Sequence, residues 1–347
     1  MNDLSTLQRL LVIYNARIGD VMLSTPAIRA LKKEWPQARL DFIGSVNNYM
    51  IMRHLPQVHR TRGTKKKWMA FQGWWPSWRY DLALVYGFDK DGPFVSYATR
   101  MADRVVAFRQ ADSRLNDKLY RAVEKVPPGS CHAVDQHLGL IHDLGLAIDG
   151  RHLSYCISEE EQRWARTYLN THGIDGHSPL IGLQVASFPT KAFRDWPIEN
   201  FLALSNALVS HHPGAYFLIL GGPLEMERTS WLAHRLGTRA TSVAGQLRLR
   251  QSAALMGCLD LYIGVDTGPT HIMGALGRPM VAMYHSSGPS WILAPLEHPC
   301  CFAIDHPHAG RAGTEASMGD ITVETVLLSS LQALTRPTAK QGASPAE

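Results

Sequence analysis

Two short polar stretches hold the side chains of this sequence that are best suited to chemistry. In the first, Asp266-Thr267-Gly268 follows an apolar run, and His271 lies three residues further on. The N–H groups at the start of a helix, a hydroxyl and an imidazole are together suited to holding an anionic group such as a phosphate. The same residues also suit a turn that only caps a helix, with His271 as an interior side chain whose hydrogen-bonding groups are satisfied within the protein.

The second stretch carries a single carboxylate, Asp20, shortly after the apolar run Arg9–Tyr14. A carboxylate at the mouth of a crevice can accept the proton of a reacting hydroxyl group. An aspartate near a helix N-terminus is also a common source of helix stability, because it interacts favourably with the helix dipole. Its type and position therefore fit a catalytic role without excluding a purely structural one.

The elements around the first stretch are predicted to be a strand, a turn, a helix and a second strand. Leu261–Val265 is short and apolar, Pro269 suits the first turn of a helix, and Gly277 suits the residue that ends one. Met280–Tyr284 is again apolar. Such a unit belongs to a parallel sheet, in which ligands bind beyond the carboxyl ends of the strands. The Asp266 turn is predicted to lie at that edge.

Strands and helices are predicted to alternate in both halves of the chain. In the first half the predicted strands are residues 9–14, 40–44 and 80–86, and the predicted helices are residues 20–35 and 132–146. In the second half the predicted strands include residues 180–185, 215–220 and 261–265. The turn after the first strand lacks the glycine-rich pattern of a dinucleotide-binding fold, so a tightly bound dinucleotide is not predicted.

A doubly wound α/β fold is therefore predicted for each half. A length of 347 residues exceeds one ordinary hydrophobic core, which predicts two domains. The predicted boundaries are residues 1–157 for an N-terminal Rossmann-like domain, residues 158–337 for a C-terminal one and residues 338–347 for a mobile polar tail. Ser158 and Glu161 have the spacing of a capping box, which predicts a helix start at this boundary.

A basic, aromatic segment, RTRGTKKKWMAFQGWWPSWR, spans residues 60–79. It suits either a solvated loop or a surface that binds acidic sugars and phosphates through Arg60, Lys65, Lys66 and Lys67. The tryptophans suit stacking on sugars or contact with lipid headgroups. The net charge of +5 is modest and no nucleic-acid-binding motif accompanies the segment, so nucleic acid is not predicted as a partner.

The composition predicts a globular cytoplasmic protein. No apolar run approaches the roughly 20 residues that span a bilayer, and the acidic start of the chain does not suggest a secretory signal. The five cysteines are odd in number and lack CxxC spacing, which favours reduced thiols. Cys300 and Cys301 lie near three histidines, but adjacent cysteines do not easily bind one ion together, so no metal site is predicted.

Four motifs in a fixed order make the chain resemble the glycosyltransferase family 9 heptosyltransferases. They are RIGDVMLSTPAIRALKKEWPQARLDFIG, YDLALVYG, GGPLEMER and the block VAGQLRLRQSAALMGCLDLYIGVDTGPTHIMGALGRPMVAMY. The likeness covers nearly the whole chain. It implies an α/β fold of the GT-B arrangement, with two Rossmann-like doubly wound domains facing across a cleft. The acceptor is then expected on the N-terminal domain and the nucleotide sugar on the C-terminal domain.

The resemblance also implies roles for single residues. Asp20 matches the position of the family's general base. The positions that match the family's donor site are Asp266, Thr267, Gly268 and His271 for the diphosphate and sugar, Glu225 for the ribose, and Leu247 and Met256 for the adenine.

One position departs from the family pattern. Where the family has Lys-x-Trp-Pro, with the lysine on the diphosphate, this chain has Arg194-Asp195-Trp196-Pro197, and Lys191 lies three residues earlier. Arg194 can bind a phosphate bidentately, and either Arg194 or Lys191 is expected to contact the diphosphate. Ser187, in the turn after the preceding strand, is a further candidate phosphate contact.

The function implied by the resemblance is transfer of heptose from ADP-heptose to the acidic lipopolysaccharide inner core, with inversion at the sugar and no cofactor. Residues 158–347 contain no Asp-x-Asp pair that would predict a divalent ion in the donor site. The implied location is the cytoplasm, with transient contact at the inner face of the cytoplasmic membrane. The alternatives are a nucleotide-sugar epimerase or hydrolase of this architecture and a non-catalytic nucleotide-sugar-binding protein. The sequence leaves open which core sugar accepts, whether the donor sugar is heptose, and the oligomeric state.

Overall fold

A computed structural model of the chain describes residues 4, 6–69, 78–87, 92–127, 129–187, 189–311 and 316–336. Contacts divide the chain into two compact units, Met1–Cys156 and Ile157–Glu347. This division falls one residue before the boundary expected between residues 157 and 158. The expected tail, residues 338–347, lies outside the described residues, as do residues 70–77 of the basic segment.

The first unit is a parallel sheet accompanied by helices. Its described strands are β1 (Arg9–Tyr14), β2 (Arg39–Ser45), β3 (Arg60–Thr64), β4 (Tyr80–Val85), β5 (Ala102–Phe108) and β6 (Arg121–Val123). Its described helices are α1 (Ile18–Leu23), α2 (Thr25–Glu34), α3 (Lys66–Met69), α4 (Gly92–Met101), α5 (Ser113–Asn116) and α6 (Ala133–Asp143). The strands lie in the order β3-β2-β1-β4-β5-β6, and all of these pairings are parallel.

The second unit repeats this arrangement. Its described strands are β7 (Leu180–Gln184), β8 (Tyr216–Leu220), β9 (Ala240–Ser242), β10 (Leu261–Val265), β11 (Met280–Tyr284) and β12 (Cys301–Asp305). Its described helices are α7 (Glu159–Thr171), α8 (Ile198–His211), α9 (Met226–Leu236), α10 (Leu249–Met256), α11 (Gly268–Leu276), α12 (Ser290–Leu293) and α13 (Val323–Leu334). The order is β12-β11-β10-β7-β8-β9, again parallel throughout. The predicted doubly wound α/β fold is confirmed for each unit.

The strand order reverses between β1 and β4 in the first sheet and between β7 and β10 in the second. At such a switch point the connections leave on opposite faces of the sheet, which opens a crevice at the carboxyl ends of the strands. Asp20 follows β1, and Asp266 directly follows β10. Each of the two polar stretches therefore lies beside the switch point of its own sheet.

The helix predicted over residues 20–35 is two helices, α1 and α2, because the chain kinks at Ser24. Pro26 has no N–H group, so it cannot pair with the carbonyl of Met22 as a continuous helix would require. The hydroxyl of Thr25 donates to that carbonyl instead, at 2.8 Å. Asp20 consequently lies in a helix of only six residues.

The sequence does not predict β3, β6, β9 and β12, which are the edge strands of the two described sheets. An edge strand has a neighbour on one side only, so it can carry charged residues and remain in the sheet. β3 has the sequence RTRGT, and it pairs with β2 over five residues. The interpretation of residues 60–64 as part of a solvated loop is therefore wrong.

The helix start predicted at the boundary is confirmed. The Ser158 hydroxyl accepts the N–H of Glu161, and the Glu161 carboxylate accepts the N–H of Ser158 in return. The Arg250 guanidinium on α10 also donates to Glu161, at 2.6 Å. Burial opposes ionisation of Glu161, but these hydrogen bonds outweigh it and lower the pKa of the carboxyl group. The capping box therefore also ties α7 to α10.

We expect the protein to lose stability between pH 6.5 and 4 partly through His298, which precedes β12. Burial lowers the pKa of this imidazole to about 4, whereas an unfolded histidine titrates at roughly 6.5. The unfolded chain therefore binds a proton first, and the free energy of unfolding falls as the pH drops through this interval. Protonation also removes the lone pair of Nδ1, which accepts the Cys300 N–H at 3.0 Å.

His298→Asn retains an acceptor for that N–H but cannot titrate. Urea unfolding at a series of pH values is expected to give a shallower acid loss for this variant than for the parent chain. The matched control is His211→Asn, at an exposed position on α8. Equal acid slopes for the parent chain and His298→Asn would contradict the assignment.

Candidate active site

The side chains of Arg194, Asp266 and His271 meet at the switch point of the second sheet, although Arg194 is 72 residues distant from Asp266 in sequence. Arg194 donates from Nη1 to Oδ2 of Asp266 at 2.7 Å. Nε2 of His271 lies 3.5 Å from the other carboxylate oxygen, Oδ1. Asp266 and His271 are buried, whereas the Arg194 side chain keeps 20% of its surface exposed. The carboxylate thus holds one cationic group and one imidazole beside the first turn of α11.

Two buried nitrogen atoms of this cluster lack hydrogen-bond partners among the described residues. Nε of Arg194 and Nδ1 of His271 are buried and have no hydrogen-bond partner in the described part of the chain. Buried polar atoms without partners are rare in folded proteins and call for a physical explanation. His271 is therefore not fully hydrogen-bonded in this structure, and the role of this cluster in binding an anion stays a prediction.

Helix α11 adds backbone donors to this site. Thr267 is its N-cap residue, and Gly268 is its first residue. The first N–H groups of a helix have no intrahelical partner and lie at the positive end of the helix dipole. The Thr267 side chain makes no capping bond to the backbone, but its hydroxyl lies 3.3 Å from the Thr270 hydroxyl in the first turn of α11. The free N–H groups of the first turn are therefore the donors that this helix end offers.

The loop after β7 is braced in a way that presents Arg194. The Ser187 N–H donates to Oδ1 of Asp195 at 2.6 Å, and Arg228 donates to Oδ2 of Asp195 at 2.8 Å. Trp196 is fully buried, and its indole N–H donates to the carbonyl of Ile321 at 2.8 Å. Asp195 and Trp196 directly follow Arg194, so their hydrogen bonds hold the backbone from which the Arg194 guanidinium extends to Asp266.

The expected role of Ser187 as a phosphate contact is not supported by its hydrogen bonds. Its hydroxyl donates its one proton to the carbonyl of Lys191 at 2.7 Å, and its backbone N–H is used by Asp195. A phosphate only accepts hydrogen bonds from such groups. Ser187 therefore shapes the loop that carries the two candidate cations.

Both candidate cations lie over one aromatic ring. Nζ of Lys191 is 5.5 Å from the centroid of the Phe193 ring, and Cζ of Arg194 is 5.6 Å from it. The other edge of this cluster is His285, whose ring packs on Phe193 at 5.0 Å. Burial lowers the pKa of His285, and the nearby Arg194 charge lowers it further. Arg194 contacts Asp266 directly, so it is the one of the two cations that is held beside the first turn of α11.

Helix α11 is held to β10 by a buried hydroxyl chain. Thr270 Oγ1 donates to the Val265 carbonyl at 2.6 Å, so the Tyr262 hydroxyl, 2.8 Å away, donates to Thr270. The Tyr262 side chain passes over Gly264, where an added Cβ would lie 2.8 Å from the Tyr262 hydroxyl oxygen. Glycine at this position therefore allows the tyrosine to brace the Asp266 turn.

Gly264→Ala is expected to destabilise the protein by about 1–3 kcal/mol, the usual cost of overpacking a filled core. The added Cβ would also lie 2.8 Å from Cβ of Gln184, which cannot move away without shifting β7. Gly139→Ala is the matched control, because a Cβ at this position in α6 meets nothing within 4 Å. Urea unfolding should separate the two variants, and equal stabilities would contradict this account of the brace.

The residues expected around the ribose and adenine differ in accessibility. Oε2 of Glu225 accepts the Gly222 N–H at 2.6 Å, which places this carboxylate just beyond β8. Leu247 is half-buried in the segment between β9 and α10. Met256, on α10, is only 1% exposed, so its side chain offers almost no surface to a base in this structure.

In the first unit, Asp20 is half-buried, and its charge acts on His137, which belongs to a cluster of aromatic rings. Tyr14 ends β1, Tyr86 follows β4, and each of their rings lies between 5.3 and 5.4 Å from the ring of His137. Nδ1 of His137 donates to the carbonyl of Ala133 at 2.7 Å, so Nε2 accepts the Tyr14 hydroxyl at 3.0 Å when the ring is neutral. Burial lowers the pKa of His137, although the Ala133 carbonyl and the Asp20 charge oppose this shift.

The four basic residues expected to bind an acceptor do not form one surface. Lys65 follows the carboxyl end of β3, and Lys66 and Lys67 begin α3. These lysines therefore share with Asp20 the sheet edge that is formed by the carboxyl ends of the strands. Arg60 is the first residue of β3 and lies at the opposite edge, formed by the amino ends, roughly 13 Å away along a five-residue strand. Arg60 and the three lysines therefore lie at opposite ends of β3, and their common role in acceptor binding stays a prediction.

No group of three or more His, Cys, Asp or Glu side chains within the described residues is placed to hold a metal ion. None of the helices in the described ranges is long and apolar enough to cross a membrane. No disulfide joins the cysteines in the described part of the chain, which include Cys300 and Cys301.

The model of glycosyltransferase family 9 (heptosyltransferase) matches residues 94–302, which is more than half of the chain and includes the Arg194–Asp266–His271 cluster. The chain belongs to this family. It is therefore a glycosyltransferase. Asp20 lies outside the matched residues.

Curated and solved members of family 9 are similar over most of their length. The lipopolysaccharide core heptosyltransferase OpsX of Haemophilus influenzae is 20% identical over 81% of this chain and 80% of its own. The structure of a family 9 glycosyl transferase from Veillonella parvula has a TM-score of 0.80 at 19% identity, over 94% of this chain and 97% of its own. That of E. coli ADP-heptose lps heptosyltransferase II has a TM-score of 0.76 at 21% identity, over 94% and 98%. At these identities the two structures establish a shared fold.

Proposed function

We propose that this glycosyltransferase transfers heptose from ADP-heptose to a sugar of the lipopolysaccharide core. The observation that carries the proposal is the Arg194–Asp266–His271 cluster at the start of α11, whose unpaired nitrogens and free helix end suit a diphosphate. The names of the relatives supply the sugar and acceptor, since they include a core heptosyltransferase and an ADP-heptose-dependent enzyme.

The proposed reaction is a single displacement that inverts the configuration at the sugar. An acceptor hydroxyl oxygen forms a bond to the anomeric carbon, while the bond from that carbon to the β-phosphate oxygen breaks. ADP leaves with the electron pair, and the hydroxyl proton passes to the Asp20 carboxylate. Arg194 and the N-terminus of α11 offer fixed positive potential where negative charge grows on the leaving diphosphate.

The two units are proposed to divide the substrates between them. The C-terminal unit binds the nucleotide sugar through Asp266, Thr267, Gly268 and His271, and Glu225 binds the ribose. The N-terminal unit binds the acidic acceptor, with Lys65–Lys67 near the same sheet edge as Asp20. Because that acceptor is part of a membrane lipid, the enzyme is proposed to work in the cytoplasm in transient contact with the inner face of the membrane.

The test measures ADP release from ADP-heptose with a panel of truncated lipopolysaccharide cores. The proposal predicts fast release with one truncated core and slow release without any acceptor. Equal release with and without every acceptor would identify a hydrolase instead. Consumption of ADP-heptose without ADP release would identify an epimerase, and ADP-heptose binding without turnover would identify a non-catalytic binding protein.

A further inference from the structure

A second basic site lies at the sheet edge that is formed by the amino ends of the strands in the first sheet. Asp20 lies at the opposite edge, which is formed by their carboxyl ends. Three neighbouring parallel strands, β1, β2 and β3, begin with Arg9, Arg39 and Arg60. Arg9 pairs with Arg39 across the sheet, and Arg60 pairs with Asp41, two residues beyond Arg39 on the same face. Because the strands are parallel, their amino ends meet at one edge and bring three guanidinium groups together.

A cavity of about 220 Å³ opens at this edge. Its lining consists of Arg9, Arg39, Asp41, His59, Arg60, Trp78 and Tyr80. A second cavity of about 150 Å³ shares four of these residues and continues along the sheet toward Arg62 and Tyr97. The space is smaller than a typical drug-sized pocket of roughly 300–1,000 Å³, and suits a ligand of about one ring with one anionic group.

Part of this cavity is fixed, and part is open to a ligand. Cζ of Arg9 lies 5.1 Å from the centroid of the Trp78 ring, and the Tyr80 hydroxyl donates to Oδ2 of Asp41 at 2.8 Å. The exposed guanidinium groups of Arg39 and Arg60 make no hydrogen bond or ion pair within the described residues. Like charges at one edge repel, and an anion between them would relieve that repulsion.

We propose that this cavity binds a phosphate ester of a polyhydroxylated group. Arg39 and Arg60 would bind the phosphate, because the guanidinium fork matches phosphate oxygens. Trp78, which is 40% exposed, offers a flat surface for a sugar ring. Oδ1 of Asp41 is buried without a donor in the described part of the chain, and a hydroxyl of the ligand would supply one. The same chemistry is carried by soluble phosphorylated sugars and by phosphorylated lipid headgroups.

Calorimetric titration of the full chain with glucose 6-phosphate tests the site. Saturable binding at one site is expected, and the double variant Arg39→Gln/Arg60→Gln should bind roughly tenfold weaker or worse, because two charge-assisted contacts are lost. Arg163→Gln/Arg166→Gln removes the same charge from exposed positions on α7 and should bind as the parent chain does. Excess ADP should not displace the sugar phosphate, which separates this site from the donor site.

Equal affinity in Arg39→Gln/Arg60→Gln, an equal loss in the α7 variant, or displacement by ADP would overturn the proposal. Sedimentation with phosphatidylcholine vesicles that contain phosphatidylinositol 4-phosphate, a phosphate ester of a polyhydroxylated ring, identifies the source of the phosphate. Sedimentation that depends on Arg39 and Arg60 assigns the site to a lipid headgroup. Binding of glucose 6-phosphate without such sedimentation assigns it to a soluble sugar phosphate, and the absence of both in the parent chain refutes the site.

Discussion

Replacing Asp20 with asparagine is expected to lower the turnover number about 10²–10⁴-fold, the usual contribution of a general base. Asparagine keeps the size of the side chain and the short helix α1, but its amide cannot accept the proton of the acceptor hydroxyl. The affinity for ADP should not change, because the diphosphate is proposed to bind to the other unit. Steady-state kinetics with both substrates saturating measure the first quantity, and calorimetric titration with ADP measures the second.

Asp117→Asn is the matched control for this experiment, since it makes the same chemical change at an exposed position after α5. It is expected to retain the turnover number of the parent chain. Turnover by Asp20→Asn within about threefold of the parent value would contradict the role of this carboxylate, given the size of the effect expected for a base. Weakened ADP binding in Asp20→Asn would instead show that the substitution acts through the donor site.

Arg194→Gln is expected to weaken ADP binding about 10–100-fold, the equivalent of losing one charge-assisted hydrogen bond worth roughly 1.5–3 kcal/mol. The variant removes the accessible guanidinium and also the 2.7 Å contact that holds the Asp266 carboxylate. An unpaired buried carboxylate is costly, so the free energy of unfolding should fall as well. Titration with ADP, done alongside urea unfolding, measures both effects.

Lys191→Gln is the natural comparison, because its ammonium lies over the same Phe193 ring but has no carboxylate contact among the described residues. It is expected to weaken ADP binding less than about fivefold, as partly solvated charges contribute up to about 1 kcal/mol. A larger loss in Lys191→Gln than in Arg194→Gln would contradict the assignment and would place the lysine on the diphosphate.

The central strands of both sheets could be predicted from the sequence, because strands buried on two faces are continuous apolar runs. β10 and β11 have the bounds that the sequence predicts. The four edge strands could not be predicted in this way, since one open side removes the need for an apolar run. The break between α1 and α2 has a visible signal in Pro26, which lies beyond the first turn of the predicted helix, where proline removes an intrahelical hydrogen bond.

The candidate site was predictable only where it is local in sequence. Asp266, Thr267, Gly268 and His271 lie within one turn and its helix, so their common position follows from the strand before them. The Arg194–Asp266 contact joins residues 72 apart, and no periodicity or spacing rule gives it.

Two other outcomes depend on details that residue types do not encode. The Ser187 proton is committed to the Lys191 carbonyl by the path of the loop. Arg60 is separated from the lysines by the direction of β3, a strand that the sequence does not predict. Both follow from backbone geometry, which is why a list of polar residues in sequence order misplaces them.

The most direct test of the proposed reaction is nuclear magnetic resonance of the product formed from ADP-heptose and the truncated core that supports ADP release. Direct displacement with Asp20 as the base predicts one heptose joined to the acceptor, with the configuration at its anomeric carbon opposite to that in the donor. A product with the donor's configuration would require a second displacement and would contradict the mechanism. A heptose that is free in solution, with no bond to the acceptor, would contradict transfer itself.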